Sequence, residues 1–216
     1  MMQDSFSHVT TWVFDLDNTL YPPSMRLFDQ IEARMTNWVA RTLGVSHDHA
    51  NHLRASYWAL YGTTLAGLMH EHGIEPMDYL MDVHDIDFTA LTPDPELADH
   101  IAALPGRRIV YTNADTIYAA KVLRARGLDG LFHAVYGVEN AQYRPKPERA
   151  AFETIFALDG LDPTRAAMFE DDARNLAAPH DMGMRTVHIA PEPAPAPHIH
   201  FHSPDLTAFL ARLRQS

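Results

Sequence analysis

Near the N-terminus stands His8-Val9-Thr10-Thr11-Trp12-Val13-Phe14, an apolar and β-branched run that ends abruptly at the polar cluster Asp15-Leu16-Asp17-Asn18-Thr19. A short apolar run bounded by polar residues is typical of a buried β-strand followed by a loop. Two carboxyl groups therefore stand where the first strand leaves its sheet. This stretch predicts both the fold and the place of the chemistry.

Four later runs have the same character and predict further strands. They are Arg108–Tyr111, His133–Gly137 (the weakest), Ala166–Phe169 and Arg185–Ile189. Between them, helical periodicity predicts one helix from Asp115 to Arg126, closed by Gly127, and another that follows Pro147. Strands that alternate with helices of this length imply right-handed crossovers. We therefore predict an α/β fold with a Rossmann-like, mainly parallel sheet.

Residues 22–89 break the alternation, because their periodicity is helical throughout. This segment begins directly after the first polar loop, so we interpret it as an inserted, all-helical cap over a core of residues 1–21 and 90–216. The predicted cap helices end at Gly44, span Ser46–Tyr61, and span Thr64 to about His72. Near the other end of the chain, a proline-rich tract, Pro191–Pro197, precedes a short amphipathic helix that we expect to dock on the core.

The composition narrows the class of protein. With 216 residues, 46% hydrophobic and 21% charged, the chain is typical of a soluble globular protein. A formal net charge of -11 argues against nucleic-acid binding, which needs clustered basic residues. The sequence has no cysteine, which excludes disulfides, thiolate metal sites and a cysteine nucleophile. No apolar run is long enough to span a bilayer and no cationic leader is evident, so we expect a cytoplasmic protein without a membrane partner.

Polar side chains also follow the other predicted strands. Because the carboxyl ends of parallel strands share one edge of a sheet, we expect them to face one crevice. The chemistry-bearing residues are Asp15, Asp17, Thr112, Asn113, Lys146, Asp171 and Asp172. Carboxylates gathered so closely repel one another unless a cation or a lysine compensates, and oxygen ligands favour Mg²⁺. Thr112 and Asn113 can donate hydrogen bonds to phosphoryl oxygens.

The ordered set resembles the haloacid dehalogenase superfamily of phosphohydrolases. Asp15–Thr19 is similar to the first motif of that family, Thr112 to the second, Lys146 to the third and Glu170–Asp172 to the fourth. The resemblance covers nearly the whole chain, and the helical insert lies where the family carries its C1-type cap. It implies a Mg²⁺-dependent phosphomonoester hydrolase that acts on a small phosphorylated metabolite.

The resemblance also implies a role for each residue. Asp15 is expected to attack phosphorus and form an aspartyl-phosphate, while Asp17 protonates the leaving oxygen and later activates water. Mg²⁺ is expected on the Asp15 carboxylate, the Asp17 backbone carbonyl and Asp171. Lys146 and Thr112 are expected to position both Asp15 and the phosphoryl group. Asn113, through its own hydrogen-bond donors, is expected to bind phosphate as well.

The fourth motif has three consecutive acids, and strand alternation does not say which one reaches the metal. We favour Asp171, because Asn175 four residues later falls where relatives often carry a second polar anchor. Asp172 is a supporting candidate, and we expect Glu170 to face elsewhere.

A closer resemblance is to the pyrimidine 5′-nucleotidase branch. It depends on Asp15–Pro22 and on the cap stretch Tyr57–Leu68. The implied substrate is a pyrimidine nucleoside 5′-monophosphate. Candidate specificity residues in the cap offer ring faces and hydroxyls on neighbouring turns; they are Tyr57, Tyr61, Thr63 and Thr64.

Other interpretations stay open. A sugar-phosphate phosphatase or phosphomutase could use the same fold. A dehalogenase is disfavoured, since its chemistry needs no acid two residues after the nucleophile. A phospho-receiver signalling domain places its acidic pair before the phosphoacceptor, whereas here the pair comes last. An inactive interaction module would be expected to have lost part of the motif set. The alternating His198, His200 and His202 are interpreted as surface or strand-edge residues.

Overall fold

The computed structural model describes residues 2–215 and contains one six-stranded sheet. The strands are β1 (Thr11–Phe14), β2 (Arg107–Tyr111), β3 (Ala134–Tyr136), β4 (Ala166–Glu170), β5 (Arg185–Ile189) and β6 (Phe201–Ser203). Their order across the sheet is β3-β2-β1-β4-β5-β6, and every neighbouring pair is parallel. The predicted α/β fold with a parallel sheet is confirmed.

The described residues also form ten α-helices, some of which pack on the two faces of this sheet. They are α1 (Met2–Phe6), α2 (Leu27–Leu43), α3 (His47–Tyr61), α4 (Thr64–His72), α5 (Pro76–Val83), α6 (Pro95–Ala102), α7 (Thr116–Ala125), α8 (Arg149–Asp159), α9 (Ala177–Asp181) and α10 (Leu206–Gln215). On one face the Phe169 ring stacks on the rings of Phe14 and Trp12, with centroid separations of 4.8 and 6.3 Å. On the other face Val13 and Met168 pack with α8 and α9. Strands buried on both faces read as continuous apolar runs, which is why the sequence shows them clearly.

Five helices, α2 to α6, lie between β1 and β2 along the chain, and the first four of them, α2 to α5, fall within the predicted cap segment, residues 22–89. The predicted ends of the first three agree with the structure. Gly44 ends α2 with a left-handed φ of 65°. The side chains of Ser46 and Thr63 accept hydrogen bonds from backbone N–H groups in the first turns of α3 and α4. The division into a core and a separate cap stays a prediction. Helix α5 was not predicted from the sequence.

The C-terminal helix docks as expected, because Leu206, Phe209, Leu210 and Leu213 are all buried. The short elements α1, α6, α9 and β6 were not predicted. Within residues 2–215, no helix combines the length and apolar character needed to cross a membrane.

The candidate site residues lie at one edge of the sheet, where the carboxyl ends of its strands meet. From β1 the chain runs outward through β2 and β3, then crosses to β4 on the other side of β1 and runs outward through β5 and β6, so the strand order reverses at β1. In open parallel sheets this reversal leaves a crevice at the carboxyl ends of the strands. Asp15 follows β1, Thr112 follows β2 and Asp171 follows β4, so all three start from the same crevice.

Candidate active site

Asp15 is the first residue after β1 and is only 5% exposed. Its backbone N–H continues the sheet by donating to Phe169 O at 2.9 Å. The Nζ of Lys146 donates to Asp15 Oδ1 at 2.6 Å, and the hydroxyl of Thr19 donates to Asp15 Oδ2 at 3.1 Å. Both carboxylate oxygens are thus held, and the side chain has a fixed orientation at the base of the crevice.

Lys146 is 1% exposed and lies between two carboxylates. Its Nζ is 2.6 Å from Asp15 Oδ1 and 2.6 Å from Glu170 Oε2, and it also donates to Tyr111 O at 3.2 Å. Burial alone would lower the pKa of Lys146, but Asp15 and Glu170 outweigh it and raise that pKa. The lysine therefore stays charged in a buried place.

The expectation that Glu170 faces elsewhere is wrong. Its side chain is 1% exposed, one oxygen takes the Lys146 hydrogen bond, and the other accepts the N–H of Asp172 at 3.2 Å. All five residues of β4 are buried, so side-chain polarity does not alternate along it. The partner that draws Glu170 inward is a lysine 24 residues earlier in the chain.

The structure separates Asp171 from Asp172. Carboxylate oxygens of Asp15, Glu170 and Asp171 lie within 4.8 Å of one another, and Asn18 donates to Asp171 Oδ2 at 3.3 Å. Asp172 turns to Arg174, which bonds both of its oxygens at 2.7 to 3.1 Å. Asp172 also accepts the Arg174 N–H, so its carboxylate caps the next turn and lies outside the group of described acids, Asp15, Glu170 and Asp171, that are close enough to share a metal.

The electrostatics of the crevice favour added positive charge. Burial, followed by the Glu170 carboxylate, raises the pKa of Asp15 to about 7, although Lys146 acts in the opposite direction. Burial and then Asp15 likewise raise the pKa of Asp171 well above its ordinary value. One lysine therefore does not neutralise three neighbouring carboxylates. An all-oxygen donor set with excess negative charge fits Mg²⁺.

Asp17 lies two residues beyond Asp15 and also lines the crevice. The hydroxyls of Tyr21 and Tyr118 both donate to Asp17 Oδ1, each at 2.7 Å. Burial, then the proximity of Asp15, raises the pKa of Asp17, while the two phenols oppose that rise. The sequence predicts no role for either tyrosine, although Tyr21 lies in the polar stretch that follows β1, four residues after Asp17.

Thr112 and Asn113 have different tasks. The hydroxyl of Thr112 is buried, lines the crevice and accepts the N–H of Ala114 at 3.0 Å, which leaves its proton free to be donated. Asn113 uses both ends of its amide on Lys146, donating to its carbonyl at 3.1 Å and accepting its N–H at 2.8 Å. Asn113 therefore fixes the backbone that presents the lysine.

Above these groups lies a cavity of about 910 Å³. We call its base the carboxylate floor, formed by Asp15, Lys146, Glu170 and Asp171. Facing it, one side of α3 forms what we call the α3 wall, made by Asn51, Arg54, Ala55 and Trp58. Thr63 and Thr64, predicted from the sequence, also line the cavity.

Tyr57 and Tyr61 do not line this cavity, which corrects their expected position. The centroids of the two rings are 6.0 Å apart, as the spacing of these residues implied. The side of α3 that carries them, however, packs against α4. Tyr57 shares a hydrogen bond of 2.7 Å with His72, and Tyr61 donates to Glu71. The packing is close, because a Cβ on Gly67 would lie 2.3 Å from Tyr57 Cγ.

No residue of the α3 wall was predicted from the sequence as part of the site, and the two with large side chains are Arg54 and Trp58. Their spacing with Asn51, at positions i, i+3 and i+7, was the available signal for a shared helix face. Trp58 is 50% exposed, and the guanidinium of Arg174 lies 3.5 Å from the centroid of its ring. Arg54 donates to Thr36 at 2.6 Å and to Asn51 at 3.2 Å, and its Nε is buried with no partner in the described part of the chain.

The alternating histidines, His198, His200 and His202, bond to different partners and do not meet at one site. His198 bonds Ala173 O at 2.8 Å, His202 bonds Ala190 O at 2.8 Å, and His200 contacts Thr186 at 2.8 Å. Two of them flank or occupy β6, the edge strand, as the strand-edge interpretation expected. Among residues 2–215 they are not part of a group that could hold a metal.

Comparison with known proteins agrees with this geometry. Phosphate metabolism protein 8 of Saccharomyces cerevisiae is 28% identical over 192 residues, which cover 79% of this chain. The match covers 58% of the yeast protein, so the chain spans less than two thirds of that relative.

Two solved structures share the fold at 17% identity each. One is a HAD phosphatase from Thermococcus onnurineus, with a TM-score of 0.61 over 96% of this chain and 97% of that one. The other is the L-2-haloacid dehalogenase from Xanthobacter autotrophicus with chloropropionic acid covalently bound, with a TM-score of 0.60 over 95% and 98%. The model of the haloacid dehalogenase-like hydrolase family matches residues 9–183. The chain therefore belongs to the haloacid dehalogenase-like hydrolases.

Proposed function

We propose that this hydrolase cleaves phosphate monoesters through an aspartyl-phosphate on Asp15. The observation that carries the proposal is the pair Asp15 and Asp17 at the base of one cavity, the first held by Lys146 and the second by two phenols. A nucleophile and an acid–base group two residues apart suit a reaction in which a leaving oxygen needs a proton. Ester hydrolysis at phosphorus has that need, whereas a departing halide does not.

Each side chain then has a chemical task. Asp15 attacks phosphorus, Asp17 gives a proton to the leaving oxygen, and in the second half Asp17 takes a proton from water. Lys146 and the Thr112 hydroxyl stabilise charge on the phosphoryl oxygens. Glu170 holds Lys146 through a buried ion pair of 2.6 Å.

The carboxylate floor fits a magnesium ion. We infer that the carboxylates of Asp15 and Asp171, with the backbone carbonyl of Asp17, hold it, since Glu170 already uses both oxygens on Lys146 and Asp172. When bound, Mg²⁺ screens the repulsion between the nucleophile and the phosphate. The protein from Thermococcus onnurineus, which shares this fold, is named a phosphatase, and that name supports the same reaction class here.

For the substrate we propose a pyrimidine nucleoside 5′-monophosphate. The support is the resemblance of Tyr57–Leu68 to pyrimidine nucleotidases and the make-up of the α3 wall. With Tyr57 and Tyr61 turned away, we propose that a base stacks on the half-exposed indole of Trp58, the aromatic ring of the α3 wall, whose other contact is the Arg174 guanidinium 3.5 Å from its centroid. Arg54, Asn51, Thr63 and Thr64 add hydrogen-bonding groups around it.

A phosphate-release screen tests this function. The purified chain is assayed with Mg²⁺ on UMP, CMP, glucose 6-phosphate and glycerol phosphate. We expect a higher kcat/KM for UMP and CMP than for the other two esters. Equal rates on all four would indicate a promiscuous phosphatase, a preference for glucose 6-phosphate would favour a sugar phosphatase, and no release from any ester would overturn the proposal.

A further inference from the structure

Two phenols contact Asp17, and the roles that the family resemblance implies include neither of them, although Tyr21 lies within the stretch Asp15–Pro22. Tyr21 comes from the turn after β1 and Tyr118 from the first turn of α7, 101 residues away from Asp17. Both hydroxyls donate to the same oxygen, Oδ1, each at 2.7 Å. Both side chains are 1% exposed, so this contact is shielded from water.

The direction of these hydrogen bonds is fixed. A carboxylate oxygen that carries no proton can only accept a hydrogen bond, so the phenol O–H groups of Tyr21 and Tyr118 both donate to Asp17 Oδ1. Within the described residues no group bonds Asp17 Oδ2. The two donors therefore occupy Oδ1, and Oδ2 is the oxygen left to exchange a proton with a molecule in the cavity.

The position of Tyr118 is itself fixed by a buried pair. Asp115 Oδ1 accepts the Tyr118 N–H at 2.8 Å, and Asp115 Oδ2 is 2.5 Å from Nδ1 of His84. The His84 ring stacks on the Tyr118 ring with centroids 4.3 Å apart and planes 23° apart. His84 ends α5, so the helical insert supplies one side of the support.

We propose that Tyr21 and Tyr118 are positioning residues that aim Asp17 Oδ2 at the leaving-group oxygen, with His84 and Asp115 holding Tyr118 in place. The inference rests on the proposed function, in which Asp17 is the acid. As the Asp15 oxygen bonds to phosphorus, the bond from phosphorus to the leaving oxygen breaks. Its electron pair stays on that oxygen, which takes the proton from Asp17 Oδ2.

A matched pair of substrates isolates this step. Benzyl phosphate and 4-nitrophenyl phosphate are similar in size, but the benzyl alkoxide needs a proton to leave and 4-nitrophenolate does not. The parameter is kcat/KM, because it covers only the steps up to phosphoenzyme formation. For Tyr21→Phe and for Tyr118→Phe we expect kcat/KM for benzyl phosphate to fall by about tenfold, which is part of the rate enhancement that general acid catalysis supplies. We expect kcat/KM for 4-nitrophenyl phosphate to fall by less than about threefold.

The control variant is Tyr136→Phe. It removes another phenol-to-carboxylate hydrogen bond, Tyr136 to Asp159 at 2.9 Å, from a residue that does not line the cavity. We expect no change in the ratio of the two kcat/KM values. Thermal unfolding of all variants confirms folding, and if one tyrosine variant fails to fold, the other carries the test alone.

Asp17→Asn separates this inference from the proposed function. If Asp17→Asn spares 4-nitrophenyl phosphate but not benzyl phosphate, and both tyrosine variants do the same, the inference is supported. A second outcome is that Asp17→Asn lowers kcat/KM for benzyl phosphate alone while the folded tyrosine variants lower kcat/KM for both substrates equally, or for neither. In that case the inference is overturned and the proposed function stands. If Asp17→Asn itself does not discriminate, the assignment of Asp17 as the acid fails, and the inference fails with it.

Discussion

The carboxylate floor and the α3 wall face each other across one cavity but are held in different ways. In the floor, Lys146 and Glu170 are each 1% exposed and are joined by one charged hydrogen bond of 2.6 Å. In the wall, Trp58 is 50% exposed and Asn51 is exposed as well. A preorganised, water-shielded floor suits a step common to every phosphate ester, whereas a half-open wall can change its contacts without disturbing that step. Substitutions in the two regions should therefore separate catalysis from substrate choice.

The largest effect is expected from the centre of the floor. Asp15→Asn keeps the size of the side chain but removes the nucleophile, so phosphate release should fall by about 10⁴-fold or more on every ester. A phosphate-release assay on UMP and on 4-nitrophenyl phosphate measures it. Retention of more than a few per cent of activity, with contamination excluded, would mean that Asp15 is not the nucleophile.

Substitutions of the two neighbouring acids, Asp171 and Asp172, should differ in their effect on the Mg²⁺ requirement. Chelation should abolish activity and added Mg²⁺ should restore it. Asp171→Asn should raise the Mg²⁺ concentration needed for half-maximal rate by about tenfold or more, because it removes a proposed ligand. Asp172→Asn is the matched control, since that carboxylate is engaged by Arg174, and it should shift the requirement little. The reverse order would reassign the ligand, and full activity in excess chelator would contradict the metal site.

In the wall, a substitution should change preference and leave the chemistry intact. Trp58→Ala should lower kcat/KM for UMP by about tenfold, within the usual range for loss of base stacking, and hardly affect 4-nitrophenyl phosphate. Tyr61→Ala is the control, because its ring lies on the α4 side of α3. A larger loss of UMP preference in Tyr61→Ala than in Trp58→Ala would contradict this assignment of the wall.

The smallest effect on activity is expected behind the wall. Alanine normally stabilises a helix relative to glycine, but a Cβ on Gly67 would meet Tyr57 Cγ at 2.3 Å. Gly67→Ala should therefore destabilise the protein by about 1 to 3 kcal/mol, while the activity of the folded fraction on 4-nitrophenyl phosphate stays near wild type. Chemical denaturation measures the change. A gain in stability would show that the Tyr57 contact is not tight.

The two regions also differ in what the sequence could predict. Asp15, Thr112 and Asp171 each follow a buried apolar strand, so local pattern and parallel topology suffice to bring them together. The sequence could not place Glu170, because its orientation depends on Lys146 from a distant loop. Nor could it choose the face of α3, since Tyr57 and Tyr61 obey the same helical spacing as Arg54 and Trp58. The choice depends on which side meets α4, where Gly67 leaves room for a ring.

The covalent intermediate on Asp15 is the centre of the proposed mechanism, and rapid quenching tests it directly. The wild-type protein is mixed with Mg²⁺ and excess 4-nitrophenyl phosphate, quenched in acid within one turnover, digested and analysed by mass spectrometry. We predict that the peptide containing Asp15 gains one phosphoryl group, that Asp15→Asn gains none, and that 4-nitrophenol appears in a burst before phosphate. Phosphate and 4-nitrophenol released together at every quench time, with no modified peptide in an active enzyme, would contradict the mechanism.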